Sequence, residues 1–309
     1  PAALRHRLVP TFHAEAEGIT VDQIIAELTC SDVSAACDLF MPIYERSDHQ
    51  DGRISIEVDP RFARDTKSTV AQGISLWNKI NKPNLLIKVP ATAEGLPAIT
   101  QLIAKGISVN VTLIFSVSRY RQVLNAYVEG LKLAQTNGID LKNIFSVASF
   151  FISRIDTEVD KALPADSDLR GTAAIANAVM AYQSFMEFTS TAQWKELEKV
   201  GANLQRPLWA STGVKDPAYD PTRYVMQLVA NNTVNTMPEV TLKAVRENGV
   251  YAGDTITKNF PSAKATLAKL ALAGIDLDKI TQHLEEDGVI KFESAWLELI
   301  DSVKTVAGK

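Results

Sequence analysis

Six short runs rich in β-branched and aromatic residues recur along this chain, with stretches of helical period between them. That alternation restricts the fold more than any other feature. The runs lie at 54–58, 85–89, 108–114, 145–151, 208–212 and 233–236, and their composition is that of strands. Between them, 65–80 carries Val70, Ile74, Trp77 and Ile80, and 93–104 carries Leu96, Ile99, Leu102 and Ile103. The next, 118–134, carries Tyr120, Val123, Leu124, Tyr127 and Leu131. These spacings keep the apolar residues on one helical face, and Ser118 is the expected cap of the third helix. Strand alternating with helix implies a parallel sheet joined by crossovers. A further helix is predicted over 21–44. The segment 169–200 reads as a long helix followed by a shorter one. After Pro238 the chain reads as helical to its end, with Phe292, Trp296, Leu299, Ile300 and Val303 on one face.

Two α/β architectures compete for this pattern. An open doubly wound sheet gathers its functional residues at one crevice, where the strand order reverses. A (β/α)8 barrel takes them from the ends of several strands. Here Glu57, Lys88, Asn110, Thr112, Ser149 and Ser211 stand among apolar neighbours on five of the predicted strands. No G-x-G-x-x-G follows any strand, so the dinucleotide fingerprint is missing. The barrel is favoured. The 309 residues, 46% of them hydrophobic, suffice to build it as one domain spanning 1–309.

Composition excludes several function classes. No apolar run is long enough to span a membrane, and the first residues lack the apolar segment of a signal peptide. The net charge of -4 with both signs mixed gives no basic stripe for nucleic acid. His6, His13, His49 and His283 are scattered, and none has metal-ligand spacing, so no metal is expected. Cys30 and Cys37 fall on the predicted first helix about 10 Å apart along its axis. That exceeds disulfide reach and suggests free thiols in a reducing compartment.

Lys88 is the residue with the most chemistry in it. It stands in Leu85-Leu86-Ile87-Lys88-Val89-Pro90, where most of its stem is expected to be buried. Burial disfavours the ammonium form of a lysine, and a neutral amine attacks carbonyls to form a Schiff base. Taken alone, the residue could equally be a strand-end lysine that snorkels to water.

The segments Leu86-Ile87-Lys88-Val89-Pro90-Ala91-Thr92-Ala93-Glu94-Gly95 and Gly106-Ile107-Ser108-Val109-Asn110-Val111-Thr112-Leu113-Ile114-Phe115-Ser116 together resemble the two signature regions of transaldolases. Ile54-Ser55-Ile56-Glu57-Val58-Asp59-Pro60 resembles a third. The likeness continues through Ser149-Phe150-Phe151-Ile152-Ser153-Arg154, Trp209-Ala210-Ser211-Thr212-Gly213-Val214-Lys215 and Asn235-Thr236-Met237-Pro238. It covers residues 18 to 305 in a consistent order.

The resemblance implies a cofactor-free, metal-free transferase of the pentose phosphate pathway. Lys88 would attack the C2 carbonyl of sedoheptulose 7-phosphate or fructose 6-phosphate, and retro-aldol cleavage would leave a dihydroxyacetone unit on the enzyme. Glyceraldehyde 3-phosphate or erythrose 4-phosphate would then take that unit. Glu57, helped by Thr112, would orient a catalytic water lying between the carboxylate and Lys88. The related fructose-6-phosphate aldolases carry Gln at this place. Asn110 and Ser149 would bond substrate hydroxyls, and Phe151 would wall the pocket. Arg154, Ser211 and Lys215 would hold the phosphate. Four of them also have a plainer reading: Glu57 as partner of a buried cation, Asn110 as a strand-to-strand bond, Phe151 as core, Lys215 as a solvated charge. A cytoplasmic monomer or homodimer is the expected setting.

The family barrel begins with two further strands. The first carries an Asp that serves as general acid and base, and the second a Thr-Ser/Thr-Asn-Pro motif that holds substrate. Residues 1–17 contain neither. Only strands three to eight are identifiable, so the expectation is a barrel without its first two units, roughly sixty residues at about thirty per unit, with weak or no turnover. Two alternatives follow: a Schiff-base aldolase that releases free dihydroxyacetone, and a degenerate barrel that only binds sugar phosphates.

Overall fold

The structure, a computed structural model, describes residues 20–307. Its first helix, α1 (Val21–Arg46), is capped by Thr20, whose hydroxyl accepts the backbone N–H of Gln23 while the Gln23 side chain returns the bond. Then β1 (Ile54–Glu57), α2 (Thr66–Ile80), β2 (Leu85–Pro90), α3 (Gly95–Ile103), β3 (Val109–Ile114) and α4 (Val117–Thr136) follow in strict alternation. Asp65 caps α2 and Ser116 caps α4. Ser116, not Ser118, is therefore the start of that helix; Ser118 sits in its first turn. Next come β4 (Ser146–Phe151) and α5 (Ser153–Ala162). The segment expected as a long then a short helix is α6 (Ala173–Thr189) and α7 (Ala192–Lys199). After β5 (Gln205–Ala210), the short α8 (Arg223–Met226) and β6 (Val234–Asn235), three helices complete the chain: α9 (Glu239–Asn248), α10 (Phe260–Leu272) and α11 (Leu277–Ala307). The C-terminal part is not continuous helix, because 249–256 is irregular.

All strand pairs are parallel, and the order β1-β2-β3-β4-β5-β6 follows the sequence without reversal. With right-handed crossovers, that order puts every crossover helix on the same side of the sheet. It is barrel-type winding, and it removes the doubly wound alternative, which needs a switch point. Six strands among the described residues agree with the six runs read in the sequence. The expectation about residues 1–17 concerns residues outside those described.

Each strand has two unlike faces. Leu85, Ile87, Val89, Val109 and Val111 are wholly buried on the face toward the helices, where Ile87 meets Gly73 of α2. Trp209 of β5 lies there too, its indole N–H donating to the Leu228 carbonyl. The opposite face carries Ser55, Glu57, Lys88, Asn110, Thr112 and Ser149. Buried apolar residues from Cys30 to Val289 form one contiguous core. At the strands' N-terminal ends, Arg53 lies over the Phe145 ring at 3.6 Å and donates to the His49 carbonyl, and Arg206 pairs with Asp51 at 2.9 Å. The polar residues of interest thus face the other end, where barrel enzymes place their chemistry. Among the described residues, no helix is long and apolar enough to cross a membrane.

One close approach sets the position of β2. A Cβ on Gly95, at the start of α3, would lie 2.0 Å from the Pro90 carbonyl oxygen. Gly95→Ala must therefore push α3 away from the strand that carries Lys88. Overpacking of this kind costs about 1–3 kcal/mol. The urea unfolding midpoint of the variant is expected to fall accordingly, and an unchanged midpoint would show that the two backbones are not in contact.

Candidate active site

The register of the sheet assembles the site. Glu57 is opposite Lys88, Lys88 opposite Asn110, and Pro90 opposite Thr112. In a parallel sheet residues in register point to the same face, so three strands place Glu57, Lys88 and Asn110 side by side. Lys88 Nζ donates to Glu57 Oε2 at 3.0 Å. The contact is direct and leaves no space for the water expected between them. Both side chains keep about a quarter of their exposure, 25% and 26%, so the pair lies at an opening, not deep in the core. Burial pushes the Glu57 carboxyl above the usual carboxylate range, and the Lys88 charge and hydrogen bond pull it back.

Asn110 ties strands together. Its Nδ2 donates to Ser55 Oγ at 3.0 Å, and its Oδ1 accepts the Ser149 hydroxyl at 2.7 Å. The strand-to-strand reading of Asn110 is therefore correct as geometry. A primary amide has two donors and two acceptor positions, so half its capacity remains for a ligand.

Among the described residues, three buried polar atoms in this region have no partner: Glu57 Oε1, Thr112 Oγ1 and Arg154 Nη1. An unsatisfied buried polar group costs about 1–3 kcal/mol. Orphaned atoms occur elsewhere in the protein too, so their existence decides nothing. Their coincidence with residues singled out for chemistry is the informative part.

Two non-glycine residues at strand ends hold left-handed backbone, a conformation costing on the order of 1–3 kcal/mol each. Leu113, at φ 59, lies in a register shift between β3 and β4. Such bulges re-aim side chains near sites. Ser211, at φ 55, follows β5 directly. The fifth strand thus spans 205–210, not 208–212, and Ser211 is a loop residue. Its carbonyl accepts the Ser153 N–H at 3.0 Å, and its hydroxyl lies 3.2 Å from that of Ser153. Thr212 anchors the loop to Asn235 Oδ1 at 3.0 Å.

Ser153 opens α5, and Arg154 is next, half-buried, with its guanidinium 5.3 Å from the centroid of the Phe151 ring. Phe151 in turn packs against Phe115 at 5.0 Å. Asp156 fixes this helix: it accepts the Ala174 N–H and the Tyr224 hydroxyl, both at 2.7 Å. Burial raises the Asp156 pKa. Lys215 stands apart. It is exposed and lines a groove of about 590 Å³ with Arg170, Asp216 and Tyr219, a lining that does not include Arg154 or Ser211.

Sequence reading missed Ser55, Ser153 and Phe292. Ser55 repeats Glu57's face two residues earlier, a period-two signal. Ser153 lies inside a quoted motif. Phe292, from α11, has its ring centroid 5.3 Å from Lys88 Nζ, although its helical spacing marks it only as buried. Among the described residues no group of three or more His, Cys, Asp or Glu could hold a metal ion.

A profile of the family described as transaldolase/fructose-6-phosphate aldolase matches residues 8–303. The chain belongs to this family. Within it, the chain is 54% identical over 294 residues to a transaldolase of Mycolicibacterium smegmatis, covering 94% of this chain and 79% of the relative. It is 52% identical over 292 residues to a transaldolase of Saccharopolyspora erythraea, with the same coverage. A transaldolase of Thermobifida fusca is 50% identical over 291 residues, covering 93% of this chain and 79% of its own length. The resemblance read from the motifs agrees with these matches.

Proposed function

We propose that this protein is a transaldolase, moving a dihydroxyacetone unit from a ketose phosphate to an aldose phosphate through a Schiff base on Lys88. The observation that carries the reading is the direct Glu57–Lys88 pair beside the orphaned Glu57 Oε1 and Thr112 Oγ1. It is supported by the three relatives named transaldolase. We take the six parallel strands as consecutive members of a (β/α)8 barrel. A cytoplasmic setting fits the free thiols of Cys30 and Cys37, and a monomer or homodimer is the expected state.

In this reading the Lys88 amine adds to C2 of the ketose, and the carbinolamine loses water to give a protonated imine. Glu57 Oε1 and Thr112 Oγ1 hold that water beside the pair, not within it. The C4 hydroxyl passes its proton to the held water as the C3–C4 bond breaks. The electrons of that bond pass into the imine to form an enamine, and the aldose leaves. Asn110 and Ser149 have capacity left for the hydroxyls of the retained unit. Arg154 and Ser211 supply charge-assisted and neutral donors for the phosphate, with Lys215 adding a more distant charge.

The test is formation of sedoheptulose 7-phosphate from fructose 6-phosphate and erythrose 4-phosphate. Release of free dihydroxyacetone at the same rate without acceptor would favour the aldolase reading instead. Glu57→Gln is expected to lower kcat/KM by about 10²-fold, at the low end of acid–base effects. The sign of the pH dependence follows from the raised pKa. A carboxyl that titrates above its ordinary range loses its charge sooner as pH falls, so the wild-type acid limb lies above the ordinary carboxylate range. Glu57→Gln removes that limb. An identical limb in both proteins would show that another group titrates.

A further inference from the structure

We propose that Phe292, carried by the C-terminal helix, shields the Lys88 imine from water and so sets how long a bound carbonyl unit stays on the enzyme. The inference rests on the Schiff-base reading above and extends it to a residue no motif marks.

The geometry begins at Lys88, which keeps a quarter of its exposure. Glu57 occupies one side of the amine at 3.0 Å. The Phe292 ring stands over it with the centroid 5.3 Å away, within the range of a cation–π contact. Phe292 itself is half-buried against the main core.

The helix that delivers the ring is fastened on both sides of it. Seven residues before Phe292, Glu285 accepts from Arg119 Nε and Nη2 at 3.1 and 3.2 Å, a two-pronged grip on α4. Four residues before, Gly288 lets α11 settle on the bulge of β3: a Cβ there would meet Leu113 Cδ2 at 3.0 Å. Positions 285, 288 and 292 share one helical face. Beyond Phe292, Trp296, Leu299, Ile300 and Val303 pack with Val21, Ile24 and Ile25 of α1 in a separate apolar cluster. These anchors hold the helix, and with it the backbone of Phe292, over Lys88.

The chemical consequence concerns hydrolysis. Water adds to the imine carbon, the added oxygen passes one proton to nitrogen, and the C–N bond breaks as the second proton follows and the carbonyl forms. The products are free dihydroxyacetone and the protonated Lys88 amine. An apolar ring on the cationic nitrogen stabilises the imine electrostatically and blocks one approach for water. Both effects prolong the adduct, which gives an acceptor time to arrive.

The experiment uses the full chain and dihydroxyacetone as the probe. The adduct is formed, the mixture is diluted, and borohydride is added at intervals. Peptide mass spectrometry then measures what remains on Lys88. Phe292→Ala is expected to shorten the adduct half-life about tenfold, the scale of one aromatic contact to a cation. Phe292→Leu, which keeps an apolar side chain and serves if the Ala variant does not fold, should fall between. Glu285→Gln, which loosens the grip, should also shorten it. A wild-type half-life in Phe292→Leu and Phe292→Ala, with the label on Lys88, would overturn the shielding role and leave the Schiff-base reading intact. A wild-type label absent from Lys88 would overturn both.

Discussion

Treatment with fructose 6-phosphate and borohydride is expected to fix one three- or six-carbon unit to Lys88, and Lys88→Met is expected to abolish both the label and turnover. The loss should be on the order of 10⁴–10⁶-fold, the scale seen when a covalent nucleophile is removed. The variant has a second consequence that must be separated from the first. Glu57 now faces Lys88 Nζ at 3.0 Å, and without it a carboxyl already raised by burial has no counter-charge. Its pKa must rise further, and stability at neutral pH should drop because the ionised carboxylate is left unpaired. The sign is opposite to that of an ordinary surface acid: acidification should restore stability to Lys88→Met as Glu57 protonates. The double variant Lys88→Met with Glu57→Gln removes the stranded charge. It should recover the wild-type unfolding midpoint and still give no label. Label on any other residue, or turnover in the recovered double variant, would end the Schiff-base assignment.

The parts of this site that could be read from the sequence share a physical cause. Glu57, Lys88, Asn110, Thr112 and Ser149 are polar residues in strands whose other positions are apolar. A strand that must bury one face against helices has no structural reason to carry them, so the pattern itself marks the candidate functional face. The winding was legible for a similar reason: strict alternation of strand and helix leaves few topologies. What was not legible depends on contacts distant in sequence or on backbone conformation. The start of β5 was missed because Gln205 and Arg206 break its apolar pattern. Buried Gln205 donates to Ser146 Oγ at 2.8 Å, and Arg206 finds Asp51 at the N-terminal ends of the strands. Leu113 is among the last residues one would place at positive φ, and nothing local announces it. Phe292 lies 204 positions from Lys88. Its spacing with Trp296 and Leu299 predicts burial, and only the path of α11 across the strand ends turns burial into a place beside the amine.

Arg154→Ala is expected to raise the KM for fructose 6-phosphate about 10- to 150-fold while leaving the reaction of unphosphorylated dihydroxyacetone with Lys88 almost unchanged. The magnitude follows from a hydrogen bond to a charged group, about 1.5–3 kcal/mol, at 1.4 kcal/mol per tenfold. The split follows from position. Arg154 reaches the site from the first turn of α5, with Nη1 buried and unpartnered and its plane over Phe151. It touches neither Lys88 nor Glu57, so it can hold the far end of a substrate without altering imine chemistry. Ser211 is bound to the same turn through Ser153, which makes the left-handed loop and the helix start a single unit. Lys215 is the internal comparison. Exposed and grouped with Asp216 and Tyr219, it acts only as a screened charge, so Lys215→Ala should change KM by no more than about threefold, the scale of a surface charge interaction. The measurement is a pair of saturation curves, one with the phosphorylated donor and one with the bare ketone, for each variant. Equal losses on both substrates in Arg154→Ala would mean that the residue supports the strand ends and not the phosphate. A larger effect at Lys215 than at Arg154 would move the phosphate into the outer groove.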